Sequence, residues 1–456
     1  MKKLLAILAF LPCLLAFSAQ DFQGAKLSEY PCAIIKTCPP KKLFSKLNLA
    51  LRKTYPDPKV EMAAALALAP FGYPFFEGVS KNDCAAVLYY QKDGKIFRVA
   101  AVCADESSAI SRYADRMKIP HMRADSWLIL GESFPEGENI KDYWEYAVKT
   151  ARQVEIADFS ITLYPDCDFP EDFKSFEDLL NQAESIKVSA RISEESINLK
   201  CKLKAEPKSP FARFFNSMPC RDRTFDESRF IPQDAAVTIL TKINPASGTY
   251  GGGEIFSAQY ELLPADIYKS RQLFKGTGAC IIDAGTALSV YASERSIKDI
   301  KEHYKTALSC TGIEGNYLKT EFAEGFEIIE IAGETKTYIS AAKGFEAVSN
   351  SRAALLDALK KIKDPVIENW PLKEFDNTNS EIIAILETKK FIEQFIPTSI
   401  KFNKLPQTVF DITSLRDSIE LSTLLHYDIL KAALAICNEY LMAQSAAENG
   451  GAIKTK

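Results

Sequence analysis

Residues 84–103 read CAAVLYYQKDGKIFRVAAVC, and this stretch decides the fold class. Two runs rich in aliphatic and aromatic residues flank Asp93-Gly94, a dipeptide that tolerates positive φ and closes two-residue hairpins. The reading predicts strands over 85–90 and 96–102, paired antiparallel so that opposed residue numbers sum to 187. Cys84 then stands opposite Cys103 in a hydrogen-bonded site, where Cα atoms lie about 5.5 Å apart, within the disulfide range. A non-hydrogen-bonded site would be the more comfortable one, and two buried thiols are the alternative.

Working outward, 43–55 and 61–69 suit helices, the second ended by Pro70. Ser107 opens a helix through Met117, with serine as N-cap and Ala109, Ile110 and Tyr113 on one apolar face. A strand over 127–130, a helix over 140–152 carrying Trp144 and a strand over 159–164 follow. Strands over 186–192 and 197–203 and a helix over 209–218 complete the unit. The pattern is α+β: a mainly antiparallel sheet with helices packed on one face.

The chain also resembles itself. At an offset of 222, Phe169-Pro170-Glu171-Asp172-Phe173 meets Phe391-Ile392-Glu393-Gln394-Phe395, and Glu195 to Leu199 meets Asp417 to Leu421. At an offset of 188, Ala104 to Ser108 meets Ala292 to Ser296; at 218, Glu132-Ser133 meets Asn350-Ser351. The growing offset predicts extra residues in the second copy, placed as an added hairpin within 310–339. Two tandem, structurally similar units are therefore expected, over 28–220 and 229–444, divided at the polar stretch 221–229. Residues 445–456, small and polar, read as a flexible tail.

Residues 1–18 have the anatomy of a cleavable signal peptide: Lys2 and Lys3, an apolar run from Leu4 to Ala16, and small residues at 16 and 18. A secreted or periplasmic location follows. The chain holds 56 basic and 60 acidic residues, and the signal takes two of the basic ones. That balance argues against nucleic acid as a partner. The stretch 62–76 is broken by Pro70, Gly72 and Pro74, so no membrane span is expected in the mature chain.

The sharpest chemical motif is Ile281-Ile282-Asp283-Ala284-Gly285-Thr286. An apolar strand delivering D-x-G-T resembles the catalytic loop of aspartic proteases and the first phosphate loop of actin-like sugar kinases, which implies a hydrolase using Asp283 and Thr286. Ala284 stands where aspartic proteases carry Thr or Ser, and the motif does not recur in the chain. In the duplicated frame it falls where Asp93-Gly94 turns a hairpin, and a turn accounts for both Asp and Gly. A buried Asp283 facing a second carboxylate would favour the enzyme; a hairpin tip would oppose it.

The remaining candidates are weaker. The glycine-rich run 247–253 lacks the lysine and hydroxyl of a phosphate loop and reads as a linker. His121, His303 and His426 share no metal spacing, with His303 and His426 placed on amphipathic helices, and no C-x-x-C pair exists, so neither metal nor cofactor is expected. Glu171 and Glu393 recur at matching helix starts, where the dipole alone explains a carboxylate. Phe71, Tyr73, Phe75 and Phe76, with Phe211, Phe214 and Phe215, are candidate walls of an apolar groove. Of the eleven cysteines only Cys13 leaves with the signal, and Cys32 and Cys38 are expected to close a small disulfide loop.

The unit order and the strand start Ile231-Pro232-Gln233-Asp234-Ala235-Ala236 resemble those of uncharacterised bacterial secreted proteins with duplicated α+β halves, a resemblance that implies a fold without an activity. The function expected is that of an exported, non-enzymatic protein that binds a protein partner or an apolar small molecule.

Overall fold

The computed structural model describes residues 31–54, 76–92, 95–134, 137–153, 157–164, 183–218, 225–232, 234–242, 277–293, 295–310, 318–332, 336–364 and 379–451. The chain divides into two compact units, 1–48 with 57–189 and 49–56 with 190–456. The signal peptide, the glycine-rich run, the 93–94 turn, Glu171 and the second expected helix at 61–69 lie outside the described residues.

The first unit contains β1 (Ala33–Thr37), α1 (Pro40–Thr54) as far as Asn48, β2 (Ala85–Lys92), β3 (Lys95–Cys103), α2 (Ala109–Met117), β4 (His121–Ala124), β5 (Trp127–Glu132), α3 (Trp144–Arg152) and β6 (Phe159–Leu163). Its sheet runs β6-β1-β2-β3-β5-β4, every pair antiparallel. Lys92 pairs with Lys95 and Ala85 with Val102, the register that a two-residue connection imposes.

Strand alternation then sorts the core. Phe97, Val99 and Ala101 of β3 pack with Ala147, Val148 and Ala151 of α3. Val102, on the opposite face, packs with Leu128 and with Phe44 of α1 and Ile110 of α2. Helices therefore cover both faces of this sheet, not one as expected, because the central strands carry apolar residues at consecutive positions and each face needs its own cover. The cap of α2 is Ser108 rather than Ser107, its hydroxyl accepting from the backbone N–H of Ser111 at 3.3 Å.

β7 (Ala183–Ile192) carries the chain past Ser189, where the first unit ends. The second unit comprises β8 (Ser196–Ala205), α4 (Pro210–Ser217), β9 (Val237–Lys242), β10 (Thr277–Asp283), β11 (Thr286–Ala292), α5 (Ile297–Cys310), β12 (Leu318–Ala323), β13 (Phe326–Ile331), β14 (Thr337–Ala342), β15 (Phe345–Ser349), α6 (Arg352–Lys363), β16 (Ile382–Leu386), α7 (Thr388–Phe395), β17 (Thr408–Leu415), β18 (Ser418–His426) and α8 (Tyr427–Gly451). Its ladder runs β8-β18-β17-β16-β9-β10-β11-β15-β14-β13-β12, again antiparallel throughout.

Leu288 and Val290 of β11 pack with Leu355 and Leu359 of α6. Tyr291 turns the other way, onto Ile300 and Tyr304 of α5. Here too both faces are covered. The division between units falls at Ser189, not over 221–229, because β8 forms nine residue pairs with β18 and so belongs to the second unit. Residues 445–451, expected as tail, continue α8. His426 ends β18 instead of lying on a helix, and His121 begins β4.

Candidate functional site

β10 and β11 form a hairpin in which Asp283 pairs with Thr286 across Ala284 and Gly285. Both turn residues have positive φ, 41° and 80°, the requirement of a two-residue hairpin turn. Asp283 thus sits at the hairpin tip, its side chain 25% exposed. Gln394 of α7 clasps the tip twice: its amide nitrogen donates to Asp283 Oδ1, and its carbonyl accepts from the Ala284 N–H at 2.8 Å. Lys390, one turn earlier, reaches Asp283 at 3.6 Å and Asp234 at 3.1 Å. A lysine lies between these two carboxylates, where an acid-base dyad would share a proton. The Lys390 ammonium holds the Asp234 carboxyl below its usual range. These contacts account for Asp283 as the anchor of a turn against a helix.

Glu393, on the same helix, is 52% exposed at the side chain and lies 3.9 Å from Lys389. Its flanking phenylalanines, Phe391 and Phe395, pack at 5.4 Å. Phe76 is buried and stacks on Phe44 at 4.9 Å, and Phe215 is buried with Ala212 and Met218, so these two are core. Phe71, Tyr73 and Phe75, and the side chains of Phe211 and Phe214, lie outside the described residues.

Cys38, Cys84 and Cys103 are free thiols in this structure. A Cys32–Cys38 bridge is ruled out by its own strand. The two residues flank β1, and six extended steps separate them by roughly 20 Å at about 3.3 Å each. A disulfide needs Cα atoms within about 7 Å. The β2/β3 register ends at Ala85 and Val102, and Ser80, not Cys84, takes the next place: the Cys103 carbonyl accepts from the Ser80 N–H at 2.9 Å, beside a Val79–Ala104 bridge. Burial pushes the Cys103 thiol up, while a hydrogen bond from Ser126 draws it down.

Cys103 also borders a cleft of about 550 Å³ in the first unit, between the 76–81 turn, the end of β3 and the β4/β5 turn. Gly78, at φ +72°, comes so close to Ser108 that a Cβ would lie 2.7 Å from its Cα. Arg123 braces the opposite wall, donating to the Ala104 carbonyl and the Ser111 hydroxyl at 2.7 Å each. Glu77, Asp105, Glu106 and Asp125 share that lining with Phe76, Val79 and Ala104.

One buried cluster escaped sequence reading. Glu346 of β15, fully buried, stands opposite Tyr291 of β11 and accepts from its hydroxyl at 2.5 Å. Arg295 donates to both carboxylate oxygens at 3.0 and 2.8 Å, and Ser293 to one at 3.2 Å. Burial alone would lower the Arg295 pKa, and the Glu346 charge raises it instead. The only sequence signal was a glutamate inside an otherwise apolar strand. Arg295, Tyr291 and Ser293 together bond both oxygens of the buried carboxylate, the arrangement of a structural pair.

No family model matches the chain, and no curated protein matches it. Solved structures do. Crystal form III of TP0453 is 13% identical, with 46% of this chain and 97% of that chain covered, at a TM-score of 0.30. Crystal form IV of TP0453 is 12% identical, covering 47% and 98%, at 0.29. Likenesses at this level carry no argument. Among the described residues no group of three or more His, Cys, Asp or Glu side chains is placed to hold a metal, and no helix is long and apolar enough to cross a membrane.

Proposed function

We propose that this chain is an exported, non-enzymatic protein that binds a protein partner through its last helix. The observation that carries the reading is the mismatch on α8. Ala432 and Ile436 are buried with Ile392 and Leu405, whereas Leu434, Tyr440 and Met442 stand 40%, 49% and 73% exposed. Leu434 lies opposite the buried Ala432 and Ile436, with Met442 within about 80° of it around the helix, and exposed apolar side chains so placed are the chemistry of helix-in-groove recognition. A photo-crosslinking amino acid at Leu434 in intact cells should yield an adduct to one discrete protein, and the same residue at Lys361 of α6 should not. Absence of an adduct, or equal adducts at both positions, overturns the reading.

The two units are copies of one. What supports this is their strand order: β6-β1-β2-β3-β5-β4 and β16-β9-β10-β11-β15-β14 correspond place for place. α2 and α5 follow the third strand of each, and α3 and α6 follow the fifth. Ser108 and Ser296, matched at the offset of 188, both stand at the start of those third-strand helices. β12 and β13 are then the insertion, inside 310–339.

A further inference from the structure

We propose that Cys38 and Cys84 join in a disulfide on oxidation. The argument is one of register. Thr37 pairs with Ala85, the last pair of the β1/β2 ladder, so the next step brings Cys38 and Cys84 toward one another. Residues directly opposed across antiparallel strands project to the same face. Cys103 lies outside this pairing, because the Val79–Ala104 bridge and the Ser80 N–H bond to the Cys103 carbonyl set Ser80, not Cys84, opposite it.

Ladder parity favours this bridge. The Cys38 N–H donates to the Asp158 carbonyl at 2.8 Å, toward β6 and away from β2. Toward β2, Cys38 and Cys84 are therefore a non-hydrogen-bonded pair, with Cα atoms about 4.5 Å apart and side chains at their closest. That spacing lies inside the disulfide range. The Cys38 thiol, pushed up to about 11 mainly by burial and then by Asp158, also feels the charge of Cys84 directly. Cys103 is the weaker neighbour, because Ser80, Asp83 and Ser126 engage its thiol.

The chemistry balances with a low-molecular-weight disulfide as oxidant. The half-buried Cys84 thiolate attacks one sulfur of glutathione disulfide, forming a mixed disulfide and releasing one glutathione thiolate. Cys38, deprotonated, then attacks the Cys84 sulfur; the protein bridge forms and the second glutathione leaves.

The full mature chain, reduced and then equilibrated with glutathione disulfide, is quenched with N-ethylmaleimide and mapped by non-reducing peptide mass spectrometry. The expected products are a Cys38–Cys84 peptide pair and a labelled Cys103. Cys38→Ser should leave Cys84 and Cys103 both labelled, and Cys84→Ser should leave Cys38 and Cys103 both labelled. Wild-type protein labelled at Cys38 and Cys84 after oxidation overturns the proposal. So does a Cys38–Cys103 bridge in Cys84→Ser. Should a serine variant fail to fold, as read by circular dichroism, the wild-type map and the matching alanine variant decide.

Discussion

Cys280 shows how far a single side chain can tie stability to pH. Complete burial pushes its thiol from an ordinary 9.0 to about 11, opposed by a hydrogen bond from Ser289. Below pH 9 folded and unfolded chains both keep the proton. Between pH 9 and 11 the unfolded chain loses it while the folded chain holds it, so stability falls as pH rises. The loss is on the order of 2 to 3 kcal/mol across that window. Urea midpoints measured from pH 8 to 11 should fall, and Cys280→Ala should flatten the slope even though its absolute stability is lower. Glu346→Gln tests the buried pair. It removes the charge that Arg295, Tyr291 and Ser293 all donate to, and should cost about 3 kcal/mol, as for a buried pair stripped of one partner. Adding Arg295→Met should recover part of that loss, since it withdraws the stranded cation.

At the scale of elements, oxidation supplies the sharpest expectation. A Cys38–Cys84 bridge closes a loop of about 45 residues and so should stabilise by on the order of 4 kcal/mol in the chain-entropy picture. The oxidised protein should unfold at a higher urea concentration than the reduced one, with an unchanged folded-state spectrum. Which parts were legible in the sequence follows from the range of each signal. The β2/β3 hairpin was readable because strand pattern and turn dipeptide act over twenty residues, and the register they dictate is the one found. The Asp283-Ala284-Gly285-Thr286 turn was readable for the same reason. The β1/β2 register was not, since the two strands are joined by a long connection and only their tertiary pairing sets it. Helices on both faces were missed because runs such as Val99 to Val102 look merely apolar, whereas strand geometry sends alternate residues to opposite covers. The Lys390–Asp283 contact joins residues far apart in sequence, and nothing local announces it.

For the molecule as a whole, the unit boundary is the testable quantity. A fragment over 221–456 lacks β8 and leaves β18 without its nine partners, whereas a fragment over 190–456 keeps them. The shorter fragment should show a lower urea midpoint and concentration-dependent association by light scattering, because an unpaired strand is a template for another chain. Export is a separate expectation, checked by N-terminal sequencing of protein recovered outside the cytoplasm: the mature chain should begin at Ala19. Strands β12 and β13 also bear on the edge of the second unit's described ladder. Without them it would end on β14, whose Ile339 and Ser340 are fully buried. With them it ends on a strand that exposes Lys319 and Thr320, with Glu321 held by Arg352 at 2.6 Å, and that also leaves Phe322 76% exposed. Charge on that strand works against amyloid-like stacking, and Phe322 is the position where a further copy would find an apolar hold.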